Sequence, residues 1–400
     1  MIKHVFRLMW NRKRRSLLLA SEILFSYLVL FAVVGVALTG SINYLRPLGF
    51  DYENVWLLDV GWRSVAEDLS RDDMTITYQQ IQREVEALPE VRKLSWVMGC
   101  TPYSMSSWGT EVKDGERTIN VRFSRVDDNF AEVMNMELEE GRWFNEEDAV
   151  SGRIPVVIDR NLASELSGDG SAVGKILVRG EKNPKELVIT GVVKAYRFRG
   201  EFNQHGPFLF QQHSWSDTVD WWPQSAMLRV ADGVDVQFEQ TILKRVAAVA
   251  RGMDVQIETL TDKRAVVMRD TLLGMLPLII IAGFLVFNVA LGLFGVLWYS
   301  INRRRSEIGL RRAIGAEARQ VSLQVILEAL ALATFAIIVG VFLAAQVPIL
   351  GLKIVTDYVY QDVLAMILAA GLIFLLVTAC ALYPSRLAAR IQPAEALHDE

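Results

Sequence analysis

Four long apolar runs constrain this 400-residue chain more than any other feature of its sequence. A helix rises about 1.5 Å per residue and the hydrocarbon core of a bilayer is about 30 Å thick, so roughly 20 apolar residues suffice to cross it. Runs of this length and composition exclude a wholly soluble protein and a disordered chain. We predict four transmembrane helices, over residues 17–45, 271–299, 321–350 and 363–383.

The first run, Leu17–Thr39, could belong to a signal peptide or to a membrane anchor. Six basic residues and no acidic residue precede it, within residues 1–16. A signal peptide has an apolar core of about 7–15 residues and a small-residue cleavage site. This run has 23 residues and continues into Gly40-Ser-Ile-Asn-Tyr44 without such a site. We therefore expect an uncleaved anchor, preceded by a basic amphipathic segment on the cytoplasmic side, residues 1–16.

The distribution of basic residues predicts the orientation, because short loops rich in Lys and Arg stay in the cytoplasm. Residues 1–16 and 300–320 hold six basic residues each, whereas the short loop 351–362 holds only Lys353. We predict that both termini, the loop 300–320 and the tail 384–400 are cytoplasmic. Residues 46–270 and 351–362 must then lie outside.

The outside segment 46–270 carries 27 basic and 37 acidic residues, a net charge of −10. Short strand-like and helix-like patterns alternate irregularly along it, which favours one or two small α+β subdomains over a Rossmann sheet. The predicted helices are 78–88, 128–134, 160–166 and 236–249. The predicted strands are 55–60, 93–98, 119–126, 154–158, 175–178, 187–193, 226–230 and 255–259.

The residues that usually carry catalysis or bind metals are scarce. The chain has two cysteines, Cys100 and Cys380, and four scattered histidines, with none of the spacings of a zinc site. Gly168–Lys175 resembles a phosphate-binding loop, but Ile176 stands where that loop needs Ser or Thr, so we expect a surface turn. We expect no catalytic residue, metal or directly bound cofactor, and a formal charge of −4 gives no indication of nucleic-acid binding.

Two features leave alternatives open. Trp215, Trp221 and Trp222 lie in an aromatic-rich stretch that could be a docking patch for a partner or substrate, or could pack in the core. Glu22 and Glu328 interrupt apolar runs, where a charge is costly and often functional. Both lie near the cytoplasmic ends of their helices, so extension to the interface or pairing with a loop arginine could also satisfy them.

The most informative segment lies between the second and third runs. Its central part is Arg305-Ser-Glu-Ile-Gly-Leu-Arg-Arg-Ala-Ile-Gly-Ala316, in which apolar and basic residues alternate as in a short amphipathic helix. From physics alone it could equally be a basic loop that contacts anionic lipid headgroups. This stretch closely resembles the coupling-helix motif of the MacB/FtsX-type ABC transporter permeases.

Other stretches strengthen the resemblance, which extends over nearly the whole chain. Gly141–Asp148, Ile154–Ile158, Val173–Lys175 and Val188–Val193 look like pieces of the periplasmic core domain of that family, and Tyr383–Leu397 looks like its C-terminal signature. The fold class that the resemblance implies is an integral membrane α-helical protein with four transmembrane helices. A large α+β periplasmic domain is inserted between helices 1 and 2, and the protein lies in the bacterial inner membrane.

The resemblance also implies a mechanism and partners. A dimer of permeases, of one chain or of two paralogues, would sit on ABC ATPase subunits that bind ATP and Mg²⁺, and we expect that ATPase to be a separate protein rather than a fused domain. Coupling helices would transmit its motion to the periplasmic domains, with a periplasmic adaptor and an outer-membrane channel as further partners. The expected coupling residues are Arg305, Glu307, Ile308, Gly309, Leu310, Arg311, Arg312, Ala313, Ile314 and Gly315.

Three outputs remain open within the family: export of a peptide, toxin or similar molecule from the periplasm, extraction of lipoproteins as in the Lol-type relatives, and FtsX-like signalling across the membrane. The roughly 225-residue outside segment argues against FtsX itself, whose loop is smaller. A hypothesis of another class is a membrane-anchored sensor without an ATPase. It would require a catalytic constellation or a cytoplasmic output domain, and the three short cytoplasmic segments contain neither.

Overall fold

The computed structural model describes residues 13–61, 70–106, 108–168, 170–180, 184–203, 206–213, 222–250, 252–303, 305–350 and 359–389. The chain forms two compact units. We call residues 43–271 the inserted domain, and residues up to 42 and from 272 onward the helical unit. Residues 1–12, 351–358 and 390–400 lie outside the described ranges, and with them most of the predicted N-terminal segment, short loop and tail.

The described residues form helices and strands that we number in chain order. The helices are α1 (Lys13–Tyr44), α2 (Arg71–Glu86), α3 (Phe130–Val133), α4 (Arg160–Ser167), α5 (Val236–Val249), α6 (Leu260–Arg303), α7 (Arg305–Ala313), α8 (Ala318–Ile349) and α9 (Val359–Ala389). The strands are β1 (Val55–Gly61), β2 (Val91–Gly99), β3 (Gly109–Asp114), β4 (Arg117–Val126), β5 (Leu138–Gly141), β6 (Ile154–Asp159), β7 (Ile176–Arg179), β8 (Lys185–Val193), β9 (Phe208–Gln212), β10 (Ser225–Val230) and β11 (Asp254–Thr259).

Within the described residues, four helices are long and apolar enough to cross a membrane: α1, α6, α8 and α9. Helix α6 begins at Leu260, well before the apolar run that starts at Thr271. Its start is fixed by a cap, because the Thr259 hydroxyl accepts the Asp262 N–H at 3.0 Å and donates to the Asp262 carboxylate at 2.7 Å. The helix therefore contributes its first twelve residues to the inserted domain and the rest to the helical unit.

Small side chains let the helices of the helical unit pack closely. Helix α8 buries a row of small residues at helical spacing: Ala329, Ala333, Ala336, Gly340 and Ala344. Small residues at helix contacts allow the close backbone approach that drives packing in lipid. Tyr27 of α1 is fully buried against Gly340, and its hydroxyl donates to the Met366 carbonyl of α9 at 3.4 Å. One aromatic side chain thus joins α1, α8 and α9.

Gly340→Ala should destabilise this packing, because the new Cβ would lie 2.4 Å from the Tyr27 ring. Overpacking of a buried site costs about 1–3 kcal/mol. The thermal unfolding midpoint of the detergent-solubilised protein is the measurement. Gly371→Ala on α9 is the matched control, since its Cβ would meet nothing within 4 Å. Equal midpoints for the two variants would contradict the packing described.

In the inserted domain, the strands join one mixed sheet in the order β11-β1-β10-β2-β4-β3-β7-β8-β6-β9, and β5 pairs with β8. The sheet also closes on itself, because β4 pairs with β9 as well as with β3. The resulting ring is β4-β3-β7-β8-β6-β9. The irregular α+β alternation was thus correctly predicted, and of the one or two subdomains expected, the strands form one continuous sheet.

Each face of the sheet has its own core. Helices α2 and α5 cover one face, where Trp96, Tyr78 and Ile242 are buried. An aromatic cluster of Tyr196, Phe130, Phe144, Phe208 and Phe210 covers part of the opposite face. Within the ring, α4 packs Leu162 and Leu166 against apolar residues of the ring strands. The buried Asp159 carboxylate accepts the N–H groups of Leu162 at 3.0 Å and Phe208 at 2.8 Å, which ties α4 to β9.

Several predicted elements need correction. The helix predicted over 128–134 is a single turn, Phe130–Val133. Strands β3, β5 and β9 were not predicted. The acidic run Glu146–Asp148 begins a 3-10 helix, Glu146–Ser151, in which the Asp148 carboxylate accepts the Asn145 N–H at 2.9 Å and pairs with Arg142 at 2.7 Å. The Asp148 carboxylate thus helps to form this turn, and its hydrogen bond with Arg142 lowers its pKa.

Candidate functional site

The segment singled out in the sequence folds as the short helix α7, Arg305–Ala313, between α6 and α8. The turn that follows it places Gly315 at φ +102°. The N–H of Ala316 donates to the Arg311 carbonyl at 3.0 Å, and that of Ile314 to the Leu310 carbonyl at 3.1 Å. A glycine with positive φ just beyond the last turn is a common way to end a helix. This explains why the chain reverses into α8 after only nine helical residues.

One side of α7 is anchored by apolar packing. Ile308 is buried in a small cluster with Ile301 of α6, Val321 of α8 and Ala388 of α9. The neighbouring Gly309 is buried as well. The anchor therefore joins α7 to the ends of three long helices, so a displacement of α7 must be shared with them or must break this cluster.

A chain of polar side chains anchors α7 a second time. Arg311 donates to the Glu307 carboxylate at 2.6 Å and to the Gln324 side-chain oxygen at 3.1 Å. The Gln324 amide donates in turn to the Glu328 carboxylate at 3.1 Å. Glu328, predicted to be functional or satisfied by pairing, is thus linked through Gln324 to a loop arginine. Gln324 could not be identified from the sequence, because a neutral amide inside an apolar run has no recognisable pattern.

Away from Ile308 and Gly309, α7 is exposed and combines charge with apolar surface, and Glu307 and Arg311 belong both to this surface and to the polar chain. Arg305, Glu307, Leu310, Arg311 and Ala313 are exposed, and Leu310 is 51% exposed. Ile314, just beyond the helix, is 79% exposed. Arg312 belongs to α7, and its side chain lies outside the part that the structure describes. An exposed apolar patch rimmed by polar residues marks a surface that binds another protein or a membrane.

The second intramembrane acid, Glu22 of α1, faces α6. A Cβ atom built on Gly292 would lie 2.7 Å from a Glu22 carboxylate oxygen. A larger residue at position 292 would require the Glu22 carboxylate to move. Glu22 and Glu328 are therefore placed differently, with Glu22 against a helix backbone and Glu328 in the polar chain that reaches α7.

The aromatic stretch gives little support for a docking patch. Trp222 is half-buried and stacks on Tyr78, with ring centroids 5.7 Å apart. Phe208 and Phe210 are buried in the aromatic core. Trp215 and Trp221 lie outside the described residues. For the residues that can be placed, core packing is the role that the structure gives them.

The inserted domain also has a polar groove of about 610 Å³ where β1, β2 and β10 are left uncovered. Asp59 lies on its floor and accepts a hydrogen bond from the Ser225 hydroxyl, while Thr101, Trp108 and Lys263 line its walls. Burial raises the pKa of Asp59, and the Ser225 hydrogen bond partly opposes this. Over the described residues, no group of His, Cys, Asp or Glu could hold a metal ion. The groove offers hydrogen bonds but no catalytic constellation.

Ile308→Ala should loosen α7, because it removes the buried side chain that joins α7 to the long helices. Large-to-small substitutions at buried sites cost about 2–4 kcal/mol. We expect faster hydrogen exchange of the α7 amides and unchanged exchange in the inserted domain. Ile314→Ala is the matched control, since the same residue type is 79% exposed there. Equal exchange in both variants would show that Ile308 does not hold the helix.

Comparison with known proteins covers both units. A family model described as "MacB-like periplasmic core domain" matches residues 28–245, and one described as "FtsX-like permease C-terminal" matches residues 279–393. A macrolide export ATP-binding/permease protein MacB from Neisseria meningitidis is 27% identical over 77% of this chain and 48% of its own length. The protein of the same name from Bdellovibrio bacteriovorus is 24% identical over 83% of this chain and 50% of its own length. The chain spans about half the length of the curated relatives it matches.

Among solved structures, the periplasmic region of MacB from Actinobacillus actinomycetemcomitans aligns with 56% of this chain and 97% of its own, at 13% identity and a TM-score of 0.39. The extracellular domain of the transporter YknZ from Gram-positive bacteria aligns with 51% of this chain at a TM-score of 0.36. The two matched family models together cover most of the inserted domain and most of the three long helices α6, α8 and α9. The chain belongs to the MacB-like, FtsX-like family of ABC transporter permeases, multi-pass proteins of the inner membrane with a periplasmic domain.

Proposed function

We propose that this chain is the permease subunit of an ABC transporter that uses ATP hydrolysis to drive movements of its periplasmic domain. ATP and Mg²⁺ bind to partner ATPase subunits, and α7 receives the motion of those subunits on the cytoplasmic side. Both termini and the α7 loop are cytoplasmic in this proposal. We assign ATP hydrolysis to those subunits because membership of the ABC transporter permease family implies an ATPase partner.

The observation that carries the proposal is the two-sided construction of α7. Its exposed side presents Glu307, Leu310 and Arg311, a mixture of charge and apolar surface that suits a protein partner. Its inner side is held by Ile308 and by the polar chain through Gln324 to Glu328. A helix that is rigidly attached to the spanning helices and exposed on its other side can pass a displacement between a partner and the membrane.

The two copies of the permease that family membership implies would each present one α7 to one ATPase subunit. ATP binding would then displace both α7 helices together, and the packed helices α6, α8 and α9 would carry that displacement across the bilayer. The work takes place in the periplasm, because the inserted domain is the large part of the chain on that side. The substrate does not have to pass between the spanning helices.

We assign the work to export of a peptide, toxin or similar molecule that is already in the periplasm, with an adaptor and an outer-membrane channel as further partners. Export is supported by the relatives, which are named macrolide export proteins. The inserted domain, which we place in the periplasm, has 229 residues, 43–271.

Charge reversal on the exposed side of α7 should release the ATPase. In a mild-detergent pull-down of the tagged chain with its natural neighbours co-expressed, Glu307→Lys or Arg311→Glu should lower the amount of co-purified ATPase by roughly tenfold or more, since one lost charged contact in an interface costs about 2–5 kcal/mol. Glu317→Lys and Arg319→Glu are the matched controls. They make the same charge changes at exposed positions beyond Gly315, where we expect wild-type binding.

The double variant Glu307→Arg with Arg311→Glu distinguishes a contact between α7 and the ATPase from the ion pair between residues 307 and 311 within α7. It keeps an ion pair within α7 but presents the opposite charges to the partner. If α7 contacts the ATPase, binding stays low. Recovery of binding would show that the pair acts only inside this chain, and an ATPase that never co-purifies with the unmodified chain would contradict the proposed function.

A further inference from the structure

Arg197 is a buried charged residue of the inserted domain whose side chain donates four hydrogen bonds. It lies in the loop after β8 and is 4% exposed. Its guanidinium donates to backbone carbonyls in two separate segments. One nitrogen contacts the carbonyls of Asn43 at 2.5 Å and Arg46 at 3.1 Å, and the other contacts those of Glu201 at 2.6 Å and Asn203 at 3.2 Å. Burial lowers the pKa of Arg197, but its ordinary value is so high that the side chain stays charged.

The first segment is the end of helix α1. The last carbonyls of a helix have no partner within it, and a cation there is favoured by the helix dipole. Arg197 supplies both a donor and a positive charge to this end. The backbone N–H of Arg197 also donates to the Leu48 carbonyl at 3.0 Å. In addition, the Tyr44 ring packs on the Phe202 ring, with the ring centroids 5.4 Å apart. The loop 197–203 is thus bound to the last turn of α1 by several independent contacts.

The second connection runs from the same loop to the start of helix α6. Glu201 is buried, and its carboxylate accepts a hydrogen bond from Arg264 of α6 at 2.5 Å. The Arg264 guanidinium also lies 4.6 Å from the centre of the Tyr52 ring. Glu201 is the buried member of this ion pair and Arg264 is partly exposed, so loss of Arg264 would leave a buried carboxylate without its partner.

We infer that Arg197 together with the Glu201–Arg264 pair forms a clamp that makes the end of α1 and the start of α6 move as one body. Both helices continue into the helical unit, α1 as its first helix and α6 as its second. The inference rests on the proposed function and adds the place where the motion enters the periplasmic domain. Without the clamp, ATP would still be hydrolysed, but α1 and α6 would move independently and the domain would receive a weaker displacement.

The test measures distances within one chain in the complete complex with its ATPase, in nanodiscs. Spin labels are placed at Leu45→Cys, beyond α1, and Val266→Cys, on α6, both on exposed side chains and with Cys100 and Cys380 replaced by Ala. Labelled chains are mixed with an excess of unlabelled chains, so that distances between copies do not contribute. With the clamp intact, we expect one narrow distance distribution that is the same with and without ATP.

Arg264→Gln and Glu201→Gln should each widen this distribution when ATP is bound, by roughly twofold, because the two helices then sample separate positions. Arg197→Lys should have a similar effect, since one ammonium group cannot reach four carbonyls. Arg264→Lys keeps the positive charge, so its distance distribution should stay as narrow as that of the unmodified chain. Arg245→Gln breaks an exposed ion pair with Glu84 and serves as the matched control, with no effect expected. The ATPase rate should stay within twofold of the wild type in all variants.

Two results would overturn the inference, and they are distinguishable. If a label on the exposed Met105 reports an ATP-dependent change in the unmodified complex but the Arg264→Gln and Glu201→Gln distributions stay narrow, the clamp does not couple the helices. If the unmodified complex shows no ATP-dependent change at any labelled position, the proposed function itself fails, and the clamp with it.

Discussion

The structure depends on the requirement that every backbone polar group in the membrane be satisfied within the chain. Lipid offers no hydrogen bonds, so the spanning segments must be complete helices. Helices α1, α6, α8 and α9 meet this requirement and pack through small residues such as Gly340. We therefore place the proposed function at the helix ends: α7 with its anchor at one set of ends, and the inferred clamp around Arg197 at another.

Local patterns predicted most of the elements but not how they pair. The predicted strand 187–193 lies within β8, and the predicted helix 236–249 has the bounds of α5. The closing pair β4–β9 joins segments about 85 residues apart, and no local pattern encodes such a pairing. Strand β9 was hidden in an aromatic-rich stretch. Helix α6 starts before its apolar run, at the Thr259–Asp262 cap, and polar capping residues of this kind lie outside the apolar pattern that predicts a spanning helix.

In the candidate site, too, local motifs could be predicted from the sequence and contacts between distant segments could not. Helix α7 could be predicted because the resemblance rests on a continuous local motif, Arg305 to Gly315. The residues that attach α7 to the rest, Gln324 above all, became visible only when α8 was placed beside it. The same is true of Arg197, since arginines are usually surface residues and only its four carbonyl partners distinguish it. Contacts between distant segments thus define both the attachment of α7 and the contacts around Arg197.

The central claim is that nucleotide binding on the cytoplasmic side changes the arrangement of the periplasmic domains. The most direct measurement is the distance between spin labels at Met105→Cys of the two permease copies, in nanodiscs with the ATPase bound. The account predicts one distribution without nucleotide and a clearly different one with ATP trapped by a non-hydrolysing ATPase variant. The same distribution in both states, with the ATPase shown to be bound and loaded with ATP, would contradict it.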